Sequence, residues 1–278
     1  MKRYTLGVYE KAFPGDLTFE ERLSAAKQCG FDFLELSLDA TDEKLARLSW
    51  SDGEIGALRQ TSSKAGLPIL TMCLSGVRRF PIGSDREGVA QRGVQIVKKT
   101  IEFSMKLGIR IVQVGGFDVN DAYPSTETSR ARFFKNLRVC TAYAAKMGVM
   151  LGIETMENDF VNTVEKAMVY VDDIRSPYLT VYPDTGNISN GTDDVPADIL
   201  RGKGHICAAH LKETKPGVFR DMKYGEGAVD FDAAIKAYRS IGVNMFNAEF
   251  WHDGSSDWLA QAQAAHDFLA VKLDASEE

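Results

Sequence analysis

Short runs of apolar and β-branched residues alternate along the whole chain with longer stretches whose apolar positions recur at helical spacing. The first kind reads as strand and the second as amphipathic helix. The pattern predicts strands at residues 5–8, 33–37, 69–73, 109–114, 150–154, 179–182, 206–211 and 245–249. Helices are predicted at about 18–29, 53–65, 86–107, 127–147, 161–174, 195–202, 230–240 and 255–272. Several of them run into a glycine just before the next strand, as at Gly66 and Gly148, where a left-handed cap stops a helix and turns the chain back. Eight strand-then-helix units in so even a rhythm fit a closed parallel (β/α)₈ TIM barrel better than an open doubly wound sheet. No Gly-x-Gly-x-x-Gly follows the first strand, so a dinucleotide-binding fold has no support.

The 278 residues suit one such barrel, and residues 1–278 are read as a single domain. Only the tail at about 274–278 offers too little to pack, and it is expected to be loose. A net charge of −6 argues against a broad nucleic-acid surface, which needs clustered Lys and Arg. No stretch approaches the ~18 apolar residues of a membrane span, so the reading is of a soluble cytoplasmic protein. Cys29, Cys73, Cys140 and Cys207 are scattered through apolar settings without a C-x-x-C pair and read as reduced core residues.

The strand ends carry the chemistry. Strand five closes on Glu154, strand six runs into Asp184, strand seven carries His210 near its end, and strand eight closes on Glu249. Taken singly, each has a plain explanation as a helix cap, a solvated loop residue or a hydrogen-bonded core histidine. Four consecutive strands delivering Glu, Asp, His and Glu at one height is another matter, because converging three carboxylates in a dry barrel without a cation means heavy repulsion. The quartet is therefore read as holding one divalent metal ion. Three carboxylates and an imidazole without thiolate suit Zn²⁺, Mn²⁺, Mg²⁺ or Co²⁺ alike. Such a site can chelate a ketone oxygen and the neighbouring hydroxyl, acidify the hydrogen on the carbon that bears the hydroxyl and stabilise an enediolate. Glu154 and Glu249 are assigned as the base and acid of that proton transfer as well as ligands.

At these residues the chain resembles the xylose-isomerase-like barrels and, within them, the L-ribulose-5-phosphate (L-xylulose-5-phosphate) 3-epimerases of bacterial L-ascorbate degradation. The likeness runs through Gly7-Val-Tyr-Glu-Lys-Ala12, Met72-Cys-Leu-Ser75, Arg78-Arg-Phe-Pro81, Tyr182-Pro-Asp184 with Gly186-Asn187, and His210 with Thr214-Lys-Pro-Gly-Val-Phe219. The resemblance implies a metal-dependent isomerase interconverting L-xylulose 5-phosphate and L-ribulose 5-phosphate at C3, with the ligand pattern falling on Glu154, Asp184, His210 and Glu249. Related epimerases of unphosphorylated ketohexoses carry a histidine where this chain has Asn187, which favours the phosphopentose branch. The chain departs from the phosphopentose pattern at Gly76-Val77 and at Trp251-His252-Asp253. A homodimer is the expectation for such barrels.

Substrate contacts are expected from Arg78, Arg79, Lys212, Glu157 and Asn187, with Lys215 and Lys223 as further cations for the phosphate and Phe117 and Trp251 as walls. The arginines and lysines are also plausible as solvated rim charges, and Glu157 as a carboxylate at a helix start. Three other readings compete. An aldose–ketose isomerase, or an epimerase of another ketose, would use the same site. A multi-zinc endonuclease would need more than the four histidines present. A barrel decayed into a sugar-binding module would be expected to have lost a ligand.

Overall fold

The structure, a computed structural model, describes residues 3–276. Its strands are short runs buried on both faces, as parallel strands covered by helices must be. They are β1 (Thr5–Tyr9), β2 (Phe33–Ser37), β3 (Ile69–Leu74), β4 (Ile111–Gly115), β5 (Met150–Glu154), β6 (Leu179–Tyr182), β7 (Ala209–Leu211) and β8 (Met245–Ala248). They pair in parallel in the order β6-β5-β4-β3-β2-β1-β8-β7. Two isolated bridges, Val181 with Ile206 and Asp184 with His210, join β6 to β7 and close the ring. The barrel expected from the sequence is the barrel found.

The large outer helices are α1 (Phe19–Gln28), α3 (Asp52–Ala65), α4 (Val89–Leu107), α5 (Glu127–Met147), α6 (Val164–Ile174), α8 (Val195–Arg201), α9 (Phe231–Ser240) and α10 (Trp258–Ala275). Two short helices, α2 (Asp42–Ala46) and α7 (Thr185–Ser189), were not foreseen from the pattern. Capping sets the boundaries. Thr18 with Glu21 and Ser51 with Glu54 form reciprocal capping boxes at the starts of α1 and α3. Gly66 and Gly148 end α3 and α5 with φ of 65° and 66°, a conformation that costs other residues a Cβ clash.

Differences from the sequence reading have local causes. Strand β4 starts at Ile111 because the Ile109 amide is spent on the carbonyl of Ser104 at the end of α4. Strand β7 is shorter than residues 206–211, and facing it is Pro183, which has no N–H to give the seam. The tail is less loose than expected. Asp274 and Ala275 are in α10, and Asp274 accepts a 2.7 Å hydrogen bond from the Tyr4 hydroxyl, while residues 277 and 278 lie outside the described ones.

Alternation along the strands sends one set of side chains out to the helices and the other into the barrel. Leu34, Leu36, Val112, Val114, Leu151, Ile153 and Leu211 belong to the large apolar core. The inward set is different in kind: Glu35, Thr71, Gln113, His210 and Asn247 are all fully buried. Phe33 fills space beside Gly7, where a Cβ would lie 2.3 Å from its ring. All four cysteines are free thiols; Cys29, Cys73 and Cys140 are buried and Cys207 is half-buried.

A second buried polar cluster ties the first β-to-α connection to α1 and to the segment after β2. Glu10 accepts from Arg22 (3.1 Å), Lys44 (2.5 Å), Arg47 (2.7 Å) and the Ser37 amide (2.8 Å). Burial acts to raise the Glu10 carboxyl, but Arg47 and Lys44 outweigh it and hold its pKa at about 2. A carboxylate depressed below its unfolded value contributes stability above that value and loses it as pH falls toward the folded one. The parent protein should therefore be more stable than Glu10→Gln at neutral pH by on the order of 3 kcal/mol. That advantage should vanish as the pH is lowered from about 4.5 to about 2, which urea denaturation of both proteins across that range would measure.

Candidate metal centre and active-site cavity

Glu154 is the last residue of β5, Asp184 follows β6 by two residues, His210 lies in β7 and Glu249 follows β8 directly. The barrel therefore sets all four at its carboxyl-terminal end, the face on which such folds build their sites. Each is buried, and one ligand atom from each lies within 4.8 Å of the others.

Local structure aims every one of them. Asp184 is the N-cap of α7: its Oδ1 accepts from the Asn187 amide at 2.6 Å, and its own amide donates to Thr155 Oγ1 at 2.9 Å. Glu154 Oε2 accepts from the Gln113 side-chain amide, leaving Oε1 2.8 Å from His210 Nδ1. The other ring nitrogen, Nε2, lies 2.6 Å from Glu35 Oε1.

The donor set fits a hard or borderline divalent cation. Asp184 Oδ2 and Glu249 Oε2 are buried and receive no hydrogen bond. Each is only near a cationic neighbour, Lys212 Nζ at 3.2 Å and His210 Nδ1 at 3.2 Å respectively. Buried carboxylate oxygens left this way are costly unless something positive completes them. Together with His210 Nδ1 and Glu154 Oε1 they make three oxygens and one nitrogen facing a common point.

The electrostatics of the bare chain show the same strain. Burial pushes Asp184 well above the ordinary carboxylate range and pushes Glu154 up as well. For Glu249 burial acts upward too, but the charges of His210 and Lys212 outweigh it and hold the group low. Burial favours neutral His210, yet Glu35 and Glu249 win and raise it well above the ordinary histidine value. Lys212 is likewise disfavoured by burial and held protonated by Asp184 and Glu249.

A cavity of about 330 Å³ opens over this cluster, with Glu154 and Glu249 on its wall. Its size suits a small sugar phosphate. A larger one of about 790 Å³, around Arg175, Thr180 and His205, lies at the opposite end of the strands and holds none of the quartet.

Of the five residues expected to touch substrate, the structure brings three to the cavity. Arg78 stacks over Phe117 at 4.6 Å and pairs with Glu157, both residues lining the space. Lys212 projects into it, its Nζ 2.8 Å from Asn187 Oδ1. Arg79 and Asn187 are not at the cavity wall. Arg79 turns outward to Asp42 (2.6 Å) and the Ala40 carbonyl (3.1 Å), because adjacent residues of the single turn after β3 cannot face the same way. Asn187 is buried beneath the site, donating to the Thr155 carbonyl at 2.7 Å and accepting from Lys212, so its polar atoms are spent on holding other side chains. Lys215 sits in an exposed turn with Val218, and Lys223 lines a neighbouring cavity of about 630 Å³. Trp251 walls both spaces.

The sequence reading missed Arg220, Gln113 and Glu35. Arg220 stacks on Trp251 at 5.0 Å and lies 4.0 Å from Glu157. Only the length of its loop pointed to the region. Glu35 had a usable signal: a lone acid in the middle of Phe33-Leu-Glu-Leu-Ser37, in a sheet whose two faces are both covered, has no solvent to face.

The profile of the xylose isomerase-like TIM barrel family matches residues 23–271. The L-ribulose-5-phosphate 3-epimerase UlaE of Escherichia coli O157:H7 (strain EC4115 / EHEC) is 38% identical over 273 residues, covering 98% of this chain and 96% of that one. The protein of the same name from Salmonella heidelberg (strain SL476) is 37% identical over the same share. Among solved structures, an L-ribulose 3-epimerase superposes with a TM-score of 0.83 at 21% identity, covering 99% of this chain and 96% of its own. A D-allulose 3-epimerase from Methylomonas sp. in complex with D-allulose gives 0.80 at 16%, covering 98% of each. At those identities the two structures speak to the fold alone, whereas the full-length sequence matches go further. The chain belongs to the xylose isomerase-like TIM barrel family and, within it, to the family of the L-ribulose-5-phosphate 3-epimerases.

Proposed function

We propose that the protein is a metal-dependent sugar-phosphate 3-epimerase that interconverts L-ribulose 5-phosphate and L-xylulose 5-phosphate. The observation that carries this reading is a pair of buried carboxylates, Glu154 and Glu249, that reach one sugar-sized cavity from strands separated by two others and share a cation-ready cluster. The names of the full-length relatives supply the substrate.

A divalent cation held by Glu154, Asp184, His210 and Glu249 would supply positive charge beside the ketone oxygen and the neighbouring hydroxyl. The chain's own groups do the rest. One glutamate takes the proton from C3 as its electron pair moves toward the carbonyl oxygen, giving an enediolate. The other returns a proton to the opposite face of C3, and the two carboxyls reset by exchange with solvent. Lys212, fixed by Asn187 and Asp184, adds a positive charge next to the quartet, which favours an anionic oxygen there. Phe117 and Trp251 narrow the cavity and limit water. At the mouth, Arg78 and Arg220 flank Glu157, and Lys11 stands nearby. Each of the three cations faces a carboxylate of Glu157, Asp121 or Asp39, and a phosphate dianion would bind by taking those carboxylates' place beside them. A homodimer working in L-ascorbate degradation in the cytoplasm is part of the same proposal and rests on the family resemblance.

The decisive experiment incubates metal-loaded protein with L-xylulose 5-phosphate in D₂O and follows the sugar by NMR. Deuterium should enter at C3 with formation of L-ribulose 5-phosphate, and Glu249→Gln should lose at least ~10³-fold in rate. Label at C1 would instead mean an aldose–ketose isomerase. Removing Arg78 as Arg78→Ala should raise KM for the phosphorylated sugar by about 10-fold or more, with little change for unphosphorylated L-ribulose. Equal loss on both sugars would place the phosphate elsewhere. Chelator-stripped protein should gain about 3 kcal/mol of stability, several degrees in Tm, when Mn²⁺ or Zn²⁺ is added at a hundredfold its Kd. Differential scanning calorimetry should show that gain in the parent and lose most of it in Asp184→Asn.

A further inference from the structure

Beneath the quartet, Glu35 of β2 is fully buried inside the barrel, and its two oxygens have four polar partners within hydrogen-bond distance. Oε1 faces His210 Nε2 at 2.6 Å and takes a hydrogen from Asn247 Nδ2 at 2.9 Å. Oε2 takes one from Thr71 Oγ1 at 2.7 Å and one from the Tyr182 hydroxyl at 3.0 Å. The fold makes room for this. A Cβ on Gly152 would lie 2.8 Å from the Cβ of Tyr182, so glycine at that position leaves the Tyr182 ring free to lie against His210, 4.7 Å between centroids, and to reach Glu35. A buried carboxylate is a costly filler where an apolar side chain would pack, and donors from β3, β6, β7 and β8 converge on this one.

From this geometry we infer that Glu35 is a positioning residue: by accepting the Nε2 hydrogen of His210 it fixes the imidazole tautomer and orientation that present the Nδ1 lone pair to the metal cluster. The inference rests on the metal reading above and adds to it the group that selects the ligating nitrogen. With a cation held in the cluster, Nδ1, beside Glu154 and Glu249, gives up its hydrogen and offers its lone pair, and the neutral imidazole then carries its hydrogen on one nitrogen only. With Oε1 of Glu35 already accepting from Asn247, a hydrogen on Nε2 satisfies both sides, whereas a bare Nε2 would set two acceptors against each other at 2.6 Å. The hydrogen therefore stays on Nε2. Nδ1 is left 2.8 Å from Glu154 Oε1 and 3.2 Å from Glu249 Oε2, among the atoms that would share a cation. The negative oxygen behind the ring also makes Nδ1 a stronger donor.

Two measurements on the full chain test this. In ¹⁵N-histidine-labelled parent protein loaded with Zn²⁺, long-range ¹H–¹⁵N correlations should show His210 protonated at Nε2 and bound through Nδ1. Competition with a chromophoric chelator should then give Kd for Zn²⁺ in two variants. Glu35→Gln keeps an acceptor of the same shape and loses the charge, so its Kd should rise by only about threefold to tenfold. Glu35→Met removes the acceptor and should raise Kd by about 10- to 100-fold, with the Nε2 hydrogen no longer held. Zn²⁺ bound through Nε2 in the parent, or both variants binding within about twofold of it, would overturn the role; if Glu35→Met does not fold, Glu35→Gln carries the test, and its binding within about twofold of the parent overturns the role. A parent that takes up no Zn²⁺ would sink the metal reading itself, an outcome distinct from a parent that binds while its variants are unaffected.

Discussion

Four carboxylates, Glu35, Glu154, Asp184 and Glu249, crowd one buried imidazole and one buried ammonium at the top of this barrel. Their mutual repulsion in a medium poor in water is the constraint from which the arrangement around them follows. Each negative oxygen must be met by a donor or a cation, and the neighbouring elements supply them in turn. Helix α7 starts at Asp184, Gln113 and Asn247 point inward where a barrel would otherwise carry aliphatic residues, and Lys212 is buried with its charge intact. Two oxygens, on Asp184 and Glu249, are left without a hydrogen bond. That residue of unmet charge is what distinguishes a site from a well-satisfied polar core.

The barrel is thus divided by function along its axis. Its outer surface packs as an ordinary apolar core under the helices, and Phe33 fills the interior beside Gly7. Above that, the interior is a polar platform whose hydrogen bonds run across the ring, from β2 to β7 and from β2 to β6, instead of along the sheet. Cross-ring bonds of this kind resist the sliding of strands past one another, so the platform holds its side chains to a tighter geometry than loops could. The rim is built more loosely, with Arg78, Glu157 and Arg220 on separate connections, and that is where recognition of one sugar phosphate over another belongs.

How much of this the sequence displayed depended on the direction in which each side chain acts. The quartet was legible because chain rhythm alone puts strand ends at one height, and the ligand types then select themselves. The strands themselves were read to within one residue, except where a helix cap consumed Ile109 or Pro183 broke the seam. Glu35 escaped because its signal lies in the covered sheet and not in the strand's own pattern, which looks the same whether a polar position faces water or a partner across the ring. Arg78 and Arg79 were indistinguishable as neighbours in one loop, and only the turn after β3 sends one inward and the other to Asp42. Asn187 was singled out as a departure from the ketohexose epimerases, but its placement under Asp184 and Lys212 depends on the short helix α7, too brief to leave a periodic trace.

The ring is closed at β6 and β7 by bridges alone, and one of the two joins Asp184 to His210. The place where the sheet is least stitched is therefore also the place where two of the four ligands meet. An ion gripped by both would act as a rivet across that gap, so the charge that serves the reaction would also brace the cylinder at its thinnest seam.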